Sequence, residues 1–242
     1  MAARVAVVGA RGRMGRLVTG ILDAASDLQA HALIGSQDAL DGILGADVVI
    51  DVTVPAVSQT VVERAIAAGI PVVVGTSGWT GERIAALGPL LGSEPRSSVL
   101  IVPNFSVGSV LATRFAAAAA RHFESIEIVE AHHAGKLDSP SGTAVRTAEL
   151  IGEARRELGP VLAPHVDQRA RGQQVASVPV HSLRMRGVIA RQEVLLGGTG
   201  ELLTISHETT SPESYTAGIL LALRRAPALR GVVLGLDALL GL

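Results

Sequence analysis

Through its first hundred residues the chain alternates two patterns, short continuous apolar runs and longer segments with helical spacing. "RVAVVG" (Arg4 to Gly9), "QAHALIG" (Gln29 to Gly35), "DVVIDVT" (Asp47 to Thr53), "PVVVG" (Pro71 to Gly75) and "SVLIVP" (Ser98 to Pro103) are the apolar runs. "MGRLVTGILDAA" (Met14 to Ala25) and "SQTVVERAIAAG" (Ser58 to Gly69) carry apolar residues at helical spacing, with Ser58 as the expected N-cap of the second. Runs that are apolar throughout suit strands buried on both faces, so this half predicts a doubly wound parallel sheet covered by helices.

After Pro103 the pattern changes. "VGSVLATRFAAAAARHF" predicts a long helix, "SIEIVEAHH" an alternating strand, and "TAVRTAELIGEARREL" (Thr143 to Leu158) an amphipathic helix. Residues 159–177 are rich in Pro, Gly and Arg and predict a loop. "VPVHSLRM", "VIARQEVLLG" and "ELLTISHET" predict three antiparallel strands, the last two joined by a turn at "GGTG" (Gly197 to Gly200). "SPESYTAGILLALRRA" predicts a helix capped by Ser211, with Pro212 at its first position. The expected fold class is α/β: a Rossmann-like dinucleotide-binding domain over residues 1–103, completed by 212–242, and an α+β domain with a mixed, mostly antiparallel sheet over 104–211.

Composition narrows the function. The 242 residues hold 21 basic and 22 acidic side chains, a net charge of −1, and only 2% aromatics. No basic excess and few stacking side chains argue against nucleic-acid binding. No apolar run has the length of a membrane span, and nothing at the N-terminus has the form of a secretory signal. With no cysteine, thiol catalysis and Cys-based zinc sites are excluded. A soluble cytoplasmic protein is expected.

Two segments carry candidate chemistry. "GARGRMG" places Gly9, Gly12 and Gly15 between a strand and a helix. Glycine there permits a tight turn and lets the backbone approach a pyrophosphate at the helix N-terminus. Arg11 and Arg13 lie in the loop, placed to meet phosphate. A ribose-binding acid is expected about twenty residues on. Gly35 stands there instead, followed by Ser36 and Gln37, with Asp38 three residues later. That leans away from strict NADH use and leaves Arg11, Arg13 and Ser36 to take the extra phosphate of NADPH.

The second segment is "EAHHAGKLDSPSGTA", Glu130 to Ala144. Consecutive histidines on a strand point to opposite faces, so His132 and His133 cannot chelate one ion together, and no metal site is expected. A histidine moves protons near neutral pH, and Lys136 adds a fixed positive charge. Ser141, Gly142 and Thr143 open a helix, where backbone N–H groups and hydroxyls favour an anion. The set reads as a site for a small carboxylated substrate beside a proton donor; the plain alternative is a polar loop capped by Ser141.

This stretch resembles the signature of the 4-hydroxy-tetrahydrodipicolinate (dihydrodipicolinate) reductase family. So do "VAVVGARGRMG", "VVIDVTVPA", "VVVGTSGW", "VPNFSVG" and the strands from Val178 to Glu208, so the resemblance spans nearly the whole chain. It implies reduction of a cyclic dicarboxylate by NADH or NADPH in diaminopimelate and lysine biosynthesis. It assigns His132 as general acid and Lys136 as stabiliser of the electron-rich intermediate and substrate ligand. His133, Ser141, Gly142 and Thr143 match substrate-binding positions. Gly9, Arg11, Gly12, Arg13, Met14, Gly15, Ser36, Thr53, Gly75, Thr76, Ser77, Asn104 and Phe105 are the expected cofactor contacts. A homotetramer built through the second-domain sheet is also implied. The chain departs from the family pattern at Gly35, where an acid is usual, and at Ser77, Trp79, Ala134, Gly135 and Ser139.

Overall fold

The structure is a computed structural model and describes residues 1–241. In chain order the strands and helices are β1 (Ala3–Val8), α1 (Arg13–Ala24), β2 (Leu28–Ile34), β3 (Val48–Asp51), α2 (Pro55–Ala67), β4 (Val72–Val74), α3 (Gly81–Ala85), α4 (Leu87–Leu91) and β5 (Ser98–Ile101). Then come α5 (Val107–Ala119), β6 (Ser125–His133), α6 (Gly142–Ala154), β7 (Gln173–Val175), β8 (Val178–Met185), β9 (Ala190–Gly198) and β10 (Glu201–Thr209). The chain finishes with α7 (Thr216–Arg225), β11 (Gly231–Leu234) and α8 (Asp237–Leu240). It divides into two compact units, Met1–Ser106 with Tyr215–Leu242, and Val107–Ser214.

The first unit holds a six-stranded sheet in the order β11-β5-β4-β3-β1-β2. Every pairing in it is parallel, as continuous apolar strands require. Val5 to Val7, Val48 to Ile50 and Val72 to Val74 are fully buried, and helices α1 and α2 add Val18, Val61 and Val62 to the packing. The chain runs from β1 outward to β2, then returns to the other side of β1 as β3. That reversal leaves a crevice beyond the carboxyl ends of the strands, where α/β sheets bind ligands.

Two local readings are corrected. Helix α2 starts at Pro55 with Val54 as N-cap, three residues ahead of Ser58. Proline fits the first turn of a helix because its missing N–H has no partner to lose there. Ser58 is instead fully buried, donating its hydroxyl to Asp51 and accepting from Trp79 Nε1 at 2.9 Å. The second correction is β11, a strand that the sequence reading left inside a tail. It pairs with β5 and forms an edge of the sheet.

In the second unit a five-stranded sheet has the order β10-β9-β6-β8-β7. Strands β9 and β10 form the expected hairpin, with Gly200 at φ +79° in its turn. Strand β8 does not join them: it runs parallel to β6, which separates it from β9. A strand after the helix α6 crossover pairs parallel with the strand before it, and this β-α-β connection was not read from the sequence. The predicted loop at 159–177 also contains β7, antiparallel to β8. Helices α5 and α6 cover one face of this sheet through Ala116, Ala144, Ala148 and Ile151 against Ile126, Ile128 and Leu196.

Candidate active site

In the first unit all the expected cofactor residues sit just beyond strand carboxyl ends. Gly9 to Gly15 follow β1, Ser36 follows β2, Thr53 follows β3, Gly75 to Ser77 follow β4, and Asn104 and Phe105 follow β5. The loop after β1 is pinned to the end of β2, since Gly9 and Ala10 N–H groups donate to Ile34 O at 2.8 and 3.1 Å. Gly9 has φ +92°, and a Cβ there would lie 2.6 Å from Val52 O. A Cβ on Gly15 would lie 2.2 Å from Gly9 O. Only glycine lets the loop fold this tightly, and Gly12, as N-cap of α1, brings no side chain over the helix N-terminus. This cradle of backbone at a helix start fits a dinucleotide pyrophosphate.

Around it, polar groups are held from beneath. Buried Asp51 accepts from Thr53 N at 3.0 Å and from Thr53 Oγ1 at 2.6 Å, which fixes Thr53 at the end of β3. Thr76 is buried and its hydroxyl donates to Asp51 O at 3.4 Å, whereas Ser77 is exposed. The Phe105 ring is buried against Gly75, so its side chain supports the β4 loop by packing. Asn104 Oδ1 accepts from Ser106 N at 2.8 Å. Arg13 and Ser36 are exposed and Met14 is half-buried.

Gly35 does not leave the end of β2 without an acid. Asp38 folds back so that its Oδ2 accepts from Gly35 N at 2.8 Å. The same carboxylate takes Arg11 NH2 at 3.0 Å. Arg11 lies across Gly35, where a Cβ would come within 2.8 Å of its Nε. A carboxylate three residues downstream is therefore brought to the strand end.

In the second unit the histidine-lysine segment is assembled around a residue to which the sequence reading gave no role. Glu130 is fully buried on β6, on the same strand face as His132. Its Oε2 pairs with His132 Nδ1 at 2.6 Å, and both its oxygens accept from Arg184, at 2.9 and 2.8 Å. Oε1 also accepts from Ser141 N at 3.2 Å. Burial opposes the Glu130 charge, but the Arg184 and His132 hydrogen bonds outweigh it and hold the carboxyl below its usual range. Burial is also the main reason that His132 titrates below its ordinary value; Glu130 works against that shift, and the Lys136 and Arg184 charges add to it.

His133, at the end of β6, is exposed, and its carbonyl accepts from Lys136 N at 3.0 Å in the following turn. Lys136 Nζ bridges both oxygens of Asp138, at 2.7 and 2.8 Å, and that contact lowers the Asp138 carboxyl below its usual range. Ser141 is the N-cap of α6: its Oγ accepts from Ala144 N at 3.2 Å, which leaves its own proton able to donate. Gly142 and Thr143 form the first turn of that helix. Glu130, Arg184 and Asp138 are the residues that sequence reasoning passed over. The i, i+2 spacing of Glu130 and His132 on a strand was the signal available for the first; nothing in the pattern joined Arg184 to them, because that requires β8 beside β6.

The whole chain has close relatives. A curated 4-hydroxy-tetrahydrodipicolinate reductase of Clavibacter michiganensis subsp. michiganensis is 62% identical over 242 residues, covering 100% of this chain and 87% of the relative. The Streptomyces griseus enzyme of the same name is 47% identical, covering 99% of this chain and 98% of its own. Among solved structures, a dipicolinate-bound dihydrodipicolinate reductase from Paenisporosarcina sp. TG-14 matches with a TM-score of 0.84 at 28% identity, over 98% of this chain and 99% of that one. Residues 3–105 match the family model for the dihydrodipicolinate reductase N-terminus, and residues 108–240 match the model for its C-terminus. Glycine cradle and histidine-lysine segment thus fall in the two halves of one known architecture, and the chain belongs to the dihydrodipicolinate reductase family.

Proposed function

We propose that this chain reduces 4-hydroxy-tetrahydrodipicolinate with a nicotinamide cofactor in diaminopimelate and lysine biosynthesis. The observation that carries this reading is the Glu130-paired His132 beside Lys136 and the N-terminus of α6. The loop from Gly9 to Gly15 receives the pyrophosphate on α1. Thr53, Gly75, Thr76, Ser77, Asn104 and Phe105 line the path of the nicotinamide half from the ends of β3, β4 and β5. When bound, the reduced nicotinamide supplies a hydride.

The substrate is a cyclic dicarboxylate. Gly142 and Thr143 N–H groups and the Ser141 hydroxyl take a carboxylate at the α6 N-terminus, with His133 beside them. Lys136 exchanges Asp138 for the substrate; once the 4-hydroxyl has left as water to give the conjugated imine, the lysine opposes the negative charge that builds on the ring nitrogen as hydride arrives. His132, with Nδ1 held by Glu130, delivers the proton to that nitrogen from Nε2. Asp38 at the end of β2 offers a ribose acceptor suited to NADH, and Arg11, released from it, offers a phosphate ligand suited to NADPH. Both cofactors are therefore used, and the enzyme works in the cytoplasm, where they are made available.

The test is oxidation of NADH and NADPH with enzymatically generated substrate. His132→Gln and Lys136→Ala should each lose a factor of about 10² or more in kcat, the usual contribution of a proton donor or of one charge-stabilising group. Full activity in both variants would sink this mechanism.

A further inference from the structure

Glu130 is a charged side chain with no exposed surface, and it meets three separate elements: β6 through His132, β8 through Arg184, and the start of α6 through the Ser141 amide. A carboxylate buried to this degree is costly unless it is fully hydrogen-bonded, and here both oxygens are. A pure structural anchor would be satisfied by Arg184 and Ser141 alone. The remaining lone pair is aimed at His132 Nδ1, and the imidazole therefore has one nitrogen committed inside the protein and one left for substrate.

We infer that Glu130, locked by Arg184 and the Ser141 amide, is the positioning residue for His132: it keeps the proton on Nδ1 and so makes Nε2 the nitrogen that donates to substrate. This rests on the reading of His132 as proton donor. In the neutral ring Nδ1 carries the hydrogen and Nε2 is bare. In the imidazolium Nε2 gains the proton that is transferred, and Glu130 balances the charge that this proton brings.

The charged groups around His132 are few. Glu130 lies on its own strand, Arg184 is its register partner on β8, and Lys136 and Asp138 follow in the next turn. From β9 the partner of Glu130 is Gln192, a neutral residue. Of these, Glu130 favours the imidazolium, while Lys136 and Arg184 oppose it. Removing the Glu130 charge and removing the Arg184 charge must then act on His132 in opposite directions.

Two variants test this. Glu130→Gln keeps the length and one acceptor oxygen but removes the charge. Arg184→Gln keeps the Glu130 charge and removes its lock. A required imidazolium makes kcat/KM fall as pH rises through the His132 titration, which in wild type lies below the ordinary histidine value of 6.5. In Glu130→Gln that fall should move to lower pH by about one unit, the size of a single close charge effect. Then kcat/KM falls about tenfold at pH 8, and the loss shrinks as pH drops through the displaced titration, while KM for substrate changes little. In Arg184→Gln the fall should move to higher pH. Histidine-labelled NMR of the resting enzyme reads the same two displacements without turnover, together with the Nδ1–H tautomer in wild type.

A merely structural Glu130 would lower activity at every pH and leave the titration in place, and that outcome overturns the inference. So does a wild-type ring carrying its proton on Nε2. Full activity in His132→Gln would instead remove the proton-donor reading, whatever Glu130→Gln does. Should Glu130→Gln fail to fold, Arg184→Gln decides alone: an unmoved or lowered His132 titration overturns the inference.

Discussion

At residue scale, the Arg11–Asp38 pair shows how one position can be replaced by another in space. The pair is exposed, with Arg11 68% and Asp38 39% accessible, so its own strength is small. Its importance lies in what it presents. In the proposed cofactor site, Asp38 offers a carboxylate to a ribose at the end of β2 and repels a 2′-phosphate. With Asp38 gone, Arg11 is left to a phosphate. Asp38→Ala should thus raise the ratio of kcat/KM for NADPH over NADH by roughly tenfold, about 1.4 kcal/mol of preference. Arg11→Ala should lower the same ratio. Steady-state assays with each cofactor check both, and a ratio unmoved by Asp38→Ala would remove the pair from cofactor choice. The lean away from NADH drawn from Gly35 left Asp38, three residues on, without a role. Asp38 reaches that end through a hydrogen bond to Gly35 N, and a hydrogen bond across three residues of turn has no signature in periodicity.

At element scale, the parallel sheet, the strand-turn-helix at the glycines and the nearly unbroken β6 were all legible, because each is set by local pattern. Apolar runs, three of them closed by glycine, define β1 to β5, and alternation in "SIEIVEAHH" defines β6 to the residue. What escaped was set by partners distant in sequence. Strand β8 looked antiparallel because its own pattern says nothing about which neighbour it meets. Ser58 looked like a cap because nothing local reveals a buried Asp51 beneath it. Trp79, where the family pattern has phenylalanine, adds an indole hydrogen bond to that buried pair that phenylalanine could not make. The glycine loop is the case where local pattern and tertiary demand agree, and it gives a sharp prediction. In Gly15→Ala the new methyl would meet backbone at 2.2 and 2.5 Å, atoms that cannot swing away. The loop must open, at a cost of about 1–3 kcal/mol. Calorimetry should show a melting temperature lower by several degrees, on the order of 2–4 °C per kcal/mol for a chain of this length. Cofactor titration should show weakened NADH and NADPH binding together. Unchanged affinity for both would mean that the loop does not hold the pyrophosphate.

At the scale of the whole molecule, the sheet of the second unit poses the question of assembly. Its edges are β10 and β7, since β8 and β9 both have neighbours on each side. Strand β10 is nine residues long and carries Leu202 and Leu203 at 66% and 39% accessibility, beyond a hairpin turn that holds no proline or bulge to blunt the edge. Leu183 and Met185 on β8 are each 49% accessible as well. A long edge strand with exposed leucines is a surface that soluble proteins usually cover. The partner we propose is a second copy of the chain, which presents the same edge and the same leucines, and closed symmetric assembly would bury them without leaving a growing fibre. We propose four copies, the number that the family resemblance implies. Light scattering coupled to gel filtration should then give four times the 24.8 kDa of one chain. Replacing Leu202 and Leu203 together by glutamate puts like charges against each other wherever two β10 edges meet, and should yield a smaller species whose circular dichroism is that of wild type. A wild-type mass of one chain at micromolar concentration, or a glutamate variant that stays tetrameric, would show that this edge is not where the copies join.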